Sequence, residues 1–324
     1  MYVSMVIPVF NEEKCLDELI SRCLTVGRGI EGGFELVLAD DGSRDRSRTI
    51  IETWAADNPE IVGVFLNRNY GQHAAVMAGF AQAKGEVIVT LDADLQNPPE
   101  EIPKLIEQVK AGHDVVGTIR ARRQDTMFRK TVSRMVNGMV RWVSKAEMHD
   151  YGCMLRAYRR EIIQALLACH ETTRFIPLLA NSFAANPVEI EVAHAERSSG
   201  DSKYSFFKLV NLYLDLLTCM STLPLRLASI VGAVMSLVGV LSAVILIGGR
   251  LILGSAWAVD GTFTVFALVF VLLGGIYLAL GIMGEYLARI YNDVRARPAY
   301  CIHKIVGGSN EAAADNMKNT GNPQ

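Results

Sequence analysis

The chain has 324 residues, half of them apolar and 20% charged, enough for one large domain with additional elements. A net charge of −2 excludes recognition of a partner through global charge. Six cysteines, at 15, 23, 153, 169, 219 and 301, show no Cys-x-x-Cys and no zinc-ligand spacing, so they read as reduced thiols of a cytosolic chain.

The first residues run straight into an apolar strand, and no signal peptide is expected. Strands fit 3–9, 34–39, 61–66, 86–91 and 114–119, with helical stretches between them. One helix is expected after Asn11 as N-cap, with Glu12 and Glu13 in its first turn. A second covers Gln72–Ala83, and a third begins near Pro99. Alternation of strand and helix implies an α/β fold with a mostly parallel, doubly wound sheet. Ligands bind such sheets outside the carboxyl ends of the strands.

Residues 121–200 are less regular. Arg120, Arg122, Arg123, Arg129, Lys130, Arg134, Arg141 and Lys145 face a single acid, Asp125. Apolar residues at 128, 132, 135, 136, 139, 140 and 143 keep helical spacing, which fits a helix at about 127–145 lying in a membrane interface or packed on the core. From 201 to 225 a narrow polar stripe (208, 211, 215, 218 and 222) on an otherwise apolar helix reads as a second interfacial helix.

Leu227–Gly249 and Thr262–Gly284 each hold 23 residues without a charge. At roughly 1.5 Å per residue each spans ~34 Å, enough to cross a hydrocarbon core. They are expected to form a two-helix transmembrane hairpin. Lys203, Lys208 and Arg226 precede it and Arg289, Arg295, Arg297 and Lys304 follow, which places both termini in the cytosol. Gly232, Gly239 and Ala243 can let such helices pack closely. The domains expected are a catalytic domain over 1–200, an interfacial helix over 201–225, the hairpin over 226–285, a cytosolic segment over 286–306 and a disordered tail over 307–324.

Two acidic motifs carry the chemistry. Asp92 and Asp94, one residue apart after an apolar strand, can hold Mg²⁺ or Mn²⁺ whose shell substrate phosphates complete. The alternative is a solvated or helix-capping pair. Asp94 is the better direct ligand; Asp92 orients the ribose or the metal's waters. Asp40-Asp41-Gly42-Ser43 is either a tight turn or a set of acceptors for a pyrimidine or ribose. Pro8-Val-Phe-Asn-Glu12 leaves the first strand at the same edge, where Phe10 can stack on a base and Glu12 can bind a ribose hydroxyl. In His194–Tyr204, Arg197 and Lys203 flank a Gly/Ser loop suited to wrapping a diphosphate, or the stretch is a linker. Arg120, Arg122 and Arg129 either attract anionic headgroups or bind the phosphate of a lipid acceptor. The histidines are scattered, and none is assigned to catalysis.

Val6–Glu13, Asp40–Ser43, Asp92–Glu100 and Gly200–Phe206, with the two-helix anchor, resemble the family 2 glycosyltransferases of GT-A fold, and within them the polyprenyl-phosphate glycosyltransferases. The resemblance implies an inverting, metal-dependent enzyme of a bacterial inner membrane. It also implies site residues Pro8, Phe10, Glu12, Asp40, Asp41, Asp92, Ala93, Asp94, Gln96, Arg120, Arg122, Arg129, Arg197, Ser202 and Lys203, and a tetramer. Leu66–His73, Asp150–Arg160 and Asp293–Pro298 narrow it to transfer of 4-deoxy-4-formamido-L-arabinose from UDP to undecaprenyl phosphate, for lipid A modification and polymyxin resistance. Glucosyl or mannosyl transfer to a polyprenyl phosphate is the alternative, and a non-catalytic nucleotide-sugar binder a further one. Processive synthases carry Gln-x-x-Arg-Trp; the Arg141-Trp142 pair lacks the Gln, which disfavours a polymerising enzyme.

Overall fold

A computed structural model describes residues 1–120, 153–169, 176–192, 223–253, 262–295 and 297–308. It divides into two units, Met1–Ser202 with Pro298–Gln324, and Lys203–Arg297.

The first unit is built on an eight-stranded sheet. Its strands are β1 (Val3–Val9), β2 (Phe34–Asp40), β3 (Ile61–Leu66), β4 (Val87–Thr90), β5 (Val115–Arg120), β6 (Arg156–Arg159), β7 (Pro187–Val192) and β8 (Ile302–Gly307). They lie in the order β7-β5-β6-β4-β1-β2-β3-β8. β1, β2 and β3 are buried along their whole length, which is why they read as near-continuous apolar runs. The connecting helices are α1 (Leu16–Arg28), α2 (Ser47–Asp57), α3 (Gln72–Gln82), α4 (Ile102–Lys110), α5 (Arg160–Ala168) and α6 (Ile176–Phe183). One hydrophobic cluster, with Leu16, Leu19, Ile20, Leu105 and Val109, fills one face of the sheet. A second, with Val76, Phe80, Ile163 and Leu166, fills the other.

The expected mostly parallel sheet is in fact mixed. β4-β1-β2-β3 and β5-β7 pair in parallel. β6 inserts antiparallel between β4 and β5, and β8 lies antiparallel along β3. β6 escapes a hydropathy reading because two of its four residues are arginines. In β7 the alternation Val188-Glu-Ile190-Glu-Val192 carries an ordinary period-2 signal.

Asn11 is not a helix cap. It has φ 56°, and α1 begins five residues later behind Cys15, with Asp17 and Glu18 as its first-turn acids. Pro99 opens a short 3-10 turn, Pro99–Glu101, that leads into α4.

The second unit holds α7 (Leu223–Leu253) and α8 (Thr262–Val294). Gly275 of α8 sits against the Met235 sulfur of α7, where a Cβ would approach to 2.7 Å. Among the described residues one stretch, Val271–Ala288, is long and apolar enough to cross a membrane, with mean hydropathy 1.7; Leu227–Leu241 in α7 is apolar but shorter. The expected span 262–284 lies within α8 and overlaps this stretch. The proposed interfacial helices, at about 127–145 and 201–225, and the tail beyond Gly308 lie outside the described residues.

Candidate active site

β1, β2 and β4 run parallel, so their carboxyl ends open on one edge of the sheet, with Val9 beside Asp40 and Val6 beside Thr90. Pro8 and Ala39 are paired in register just inside that edge. Phe10 projects beyond it and is 43% exposed.

The loops after β1 and β2 are laced together. Asn11 N–H donates to Ser43 Oγ at 2.9 Å, and Arg44 N–H donates to Asn11 Oδ1 at 2.8 Å. Glu12 N–H donates to Ser47 Oγ at 3.0 Å, Glu13 N–H to Asp45 Oδ2 at 3.1 Å, and Arg46 N–H to Glu13 Oε2 at 3.1 Å. This lacing fixes the backbone on which Glu12 stands and explains the unusual φ of Asn11, a residue type that tolerates it.

Asp40 and Asp41 are both buried. Asp40 accepts the Ser43 N–H at 3.2 Å and lies 3.4 Å from the Arg48 guanidinium, which also stacks over Phe65. Asp41 reaches the loop after β3: Tyr70 N–H donates to Oδ1 at 2.7 Å and Gly71 N–H to Oδ2 at 2.8 Å. Burial pushes the Asp41 carboxyl above the ordinary carboxylate value; the Tyr70 and Gly71 N–H groups oppose this, and the Asp40 charge adds to it. Gly42 follows with φ +70°, and a Cβ there would lie 2.5 Å from the Arg68 carbonyl carbon. The Asp-Gly of this motif is thus the contact between two loops as well as a turn.

The Asp92-Ala-Asp94 segment leaves β4 immediately after Leu91, whose N–H donates to Val6 O at 3.2 Å. Leu95 has φ 58°, so the chain reverses sharply and Gln96 folds back onto Asp94. Gln96 N–H donates to Asp94 Oδ1 at 3.1 Å and Gln96 Nε2 to Oδ2 at 2.7 Å. Gln72 Nε2 donates to Asp92 Oδ1 at 2.8 Å. Ala93 is buried beneath the pair.

The far end of this segment is anchored twice. Cys153 Sγ donates to Asn97 Oδ1 at 3.6 Å, and Thr118 Oγ1 donates to Cys153 Sγ at 3.0 Å. Arg22 holds Glu100 through two parallel bonds of 3.0 and 2.7 Å, which keep the Glu100 carboxyl below its ordinary value.

Pro8, Phe10, Glu12, Asp40, Asp41, Asp92, Ala93, Asp94 and Gln96 thus gather at one sheet edge. Arg120 ends β5 beside Val192. Arg122, Arg129, Arg197, Ser202 and Lys203 lie outside the described residues. Sequence reasoning did not single out Tyr70, Gly71 and Gln72 as site residues, although a glycine after a strand end was a signal for a tight turn there. No cluster of three or more His, Cys, Asp or Glu side chains suited to a metal occurs among the described residues.

An α/β sheet with acidic motifs at the ends of β2 and β4, one on each side of β1, is the framework of a glycosyltransferase that uses an activated sugar donor. The chain belongs to glycosyl transferase family 2, whose profile matches residues 4–167. It is 57% identical over 306 residues to the undecaprenyl-phosphate 4-deoxy-4-formamido-L-arabinose transferase of Proteus mirabilis, covering 94% of each chain. It is 54% identical over 324 residues to the protein of the same name from Pseudomonas syringae, covering 99% of this chain and 96% of that one. Glucosyl-3-phosphoglycerate synthase from Mycobacterium tuberculosis, crystallised with Mn²⁺, UDP-glucose and phosphoglyceric acid, shares 19% identity at a TM-score of 0.47, covering 67% of this chain and 77% of that one.

Proposed function

We propose that this glycosyltransferase moves 4-deoxy-4-formamido-L-arabinose from UDP to undecaprenyl phosphate, making a lipid-linked sugar for lipid A modification and polymyxin resistance. The observation that carries the proposal is the 57% identity, over 94% of both chains, to a protein named for that reaction. The gathered strand ends support it. Glu12, Asp40 and Asp41, with Pro8 and Phe10, are assigned to the nucleoside and Asp92, Ala93, Asp94 and Gln96 to the diphosphate; Arg197 and Lys203, outside the described residues, are the cations assigned to neutralise it.

Mn²⁺ or Mg²⁺ fits this donor set. Asp92 and Asp94 offer hard oxygen ligands, and donor phosphates and waters would complete the shell. When bound, the cation would neutralise charge growing on the departing UDP. The acceptor phosphate, steered by Arg120, Arg122 and Arg129, is already ionised at neutral pH, so in-line attack with inversion needs no strong general base. Positioning and electrostatics supply most of the rate.

We place the enzyme in the inner membrane as a two-helix hairpin with the catalytic unit in the cytosol. Chain parity supports this. β8 follows α8 in sequence and pairs with β3, so the residues on either side of the helices share one sheet. The intervening chain must then cross the bilayer an even number of times. If Val271–Ala288 crosses, a second crossing is needed, and α7 supplies the helix for it.

The test uses purified protein in detergent with undecaprenyl phosphate and Mn²⁺ or Mg²⁺. UDP-4-deoxy-4-formamido-L-arabinose, UDP-glucose and GDP-mannose are offered separately, and the lipid product is weighed by mass spectrometry. A formamido-arabinosyl lipid is expected. A hexosyl lipid alone would overturn the sugar assignment, and no glycolipid from the formamido donor would overturn the activity.

A further inference from the structure

We propose that Gln72 is a positioning residue for donor binding: its side-chain amide sets the orientation of the Asp92 carboxylate and couples it to the nucleoside end of the site through Asp41. The inference deepens the donor site proposed above and rests on it.

Gln72 opens α3, and its Nε2 lies 2.8 Å from Asp92 Oδ1. The residue before it, Gly71, has φ +98° and gives its N–H to Asp41 Oδ2. Ala74 and Ala75 in turn donate their N–H groups to the Gly71 carbonyl, so the first turn of α3 is built on the residue that Asp41 holds. β2 and β4 are not neighbours in the sheet, because β1 lies between them. The loop after β3 therefore spans from one acidic motif to the other, anchored at Asp41 and delivering the Gln72 amide to Asp92.

The chemistry suits orientation rather than reaction. An amide N–H donor stabilises a carboxylate in its charged form without cancelling its charge. A lysine at this position would pair with Asp92 and compete with a cation; a neutral amide does not. Fixing one oxygen of Asp92 lowers the rotational freedom that the carboxylate would otherwise lose when the donor and its metal arrive. A leucine or alanine at position 72, equally compatible with a helix start, could not do this.

The test is a double-substitution cycle on the full-length protein in detergent, read by calorimetric titration of UDP with Mn²⁺ and, separately, with EDTA. Gln72→Ala is expected to weaken UDP binding in Mn²⁺ about tenfold, the loss of one charge-assisted hydrogen bond. Gln72→Glu, equal in shape but an acceptor facing a carboxylate, should weaken it further. In an Asp92→Ala background, Gln72→Ala should cost nothing more, because its effect runs through Asp92. Equal tenfold losses in both backgrounds would overturn the proposal, as would unchanged UDP affinity in Gln72→Ala and Gln72→Glu. Thermal melting of each ligand-free variant identifies a loss that comes from unfolding, in which case Gln72→Glu, which keeps the helix start and side-chain volume, decides. The wild-type arm separates the two claims: UDP binding equal in Mn²⁺ and EDTA would remove the metal from the site while leaving the Gln72–Asp92 coupling to be judged on UDP affinity alone.

Discussion

The carboxylate of Asp41 and the backbone of Gly71 are joined by a 2.8 Å hydrogen bond, so the end of β2 determines where α3 begins. Asp41 is a structural pin between two loops, and its titration can be read in stability.

Its folded-state pKa is raised, chiefly by burial. A carboxyl raised in this way favours the folded state most when protonated. Its contribution is full below the unfolded value, near pH 3.8, and is lost as pH rises through the folded value. Asp41→Asn removes that titration, so the melting-temperature gap between wild type and variant should be wider at pH 4 than at pH 7. A gap that widens toward pH 7 would mean that the N–H bonds from Tyr70 and Gly71 outweigh burial.

Asp94→Asn should reduce turnover by at least about a hundredfold. The variant should nevertheless melt near the wild-type temperature, because an amide oxygen can still accept from Gln96. Parallel measurements of lipid-product formation and thermal melting check this, and retained turnover would remove Asp94 from the diphosphate site.

Gly42→Ala forces a side chain into a left-handed backbone and against the Arg68 backbone. A cost of about 1–3 kcal/mol is expected, seen as a melting temperature lower by several degrees. The donor KM should rise with it, since the displaced loop is the one that Asp41 and Gln72 share. Unchanged stability would show that the two loops separate freely.

The proposed hairpin predicts that residues beyond α8 and residues between α7 and α8 label from opposite sides. Cys301 is exposed beside β8 and should stay unlabelled by a membrane-impermeant maleimide in intact cells, then react after lysis. A cysteine introduced by Ser255→Cys, in the segment between α7 and α8, should react before lysis. Labelling of both before lysis, or of neither, would contradict the hairpin.

Much of this was legible in the residues. The four parallel central strands announced themselves as apolar runs because both faces of the sheet are covered, and the acidic motifs stood out because two of them follow such runs in one chain. What escaped was set by tertiary pairing. β6 is a strand only because β4 and β5 flank it, and Arg156 within it is fully buried, against every hydropathy expectation. Asn11 looked like a helix cap because its type suits one; the loop after β2 takes its side chain and its N–H instead. Gln72 carried no signal of its own, since its partner lies twenty residues away across a strand that neither belongs to.

β8 also bears on how the protein is made. Its backbone covers β3, the N–H of Asn67 donates to Cys301 O at 3.1 Å, and Lys304 pairs with Glu52 at 2.9 Å. Asn67 begins the very loop that carries Gly71 and Gln72. The ribosome emits β8 only after both long helices, so during synthesis β3 waits as an open edge able to capture a stray strand. The returning chain seals that edge only after α7 and α8 have been made, so the loop leading to Gly71 and Gln72 gains its Cys301 contact last.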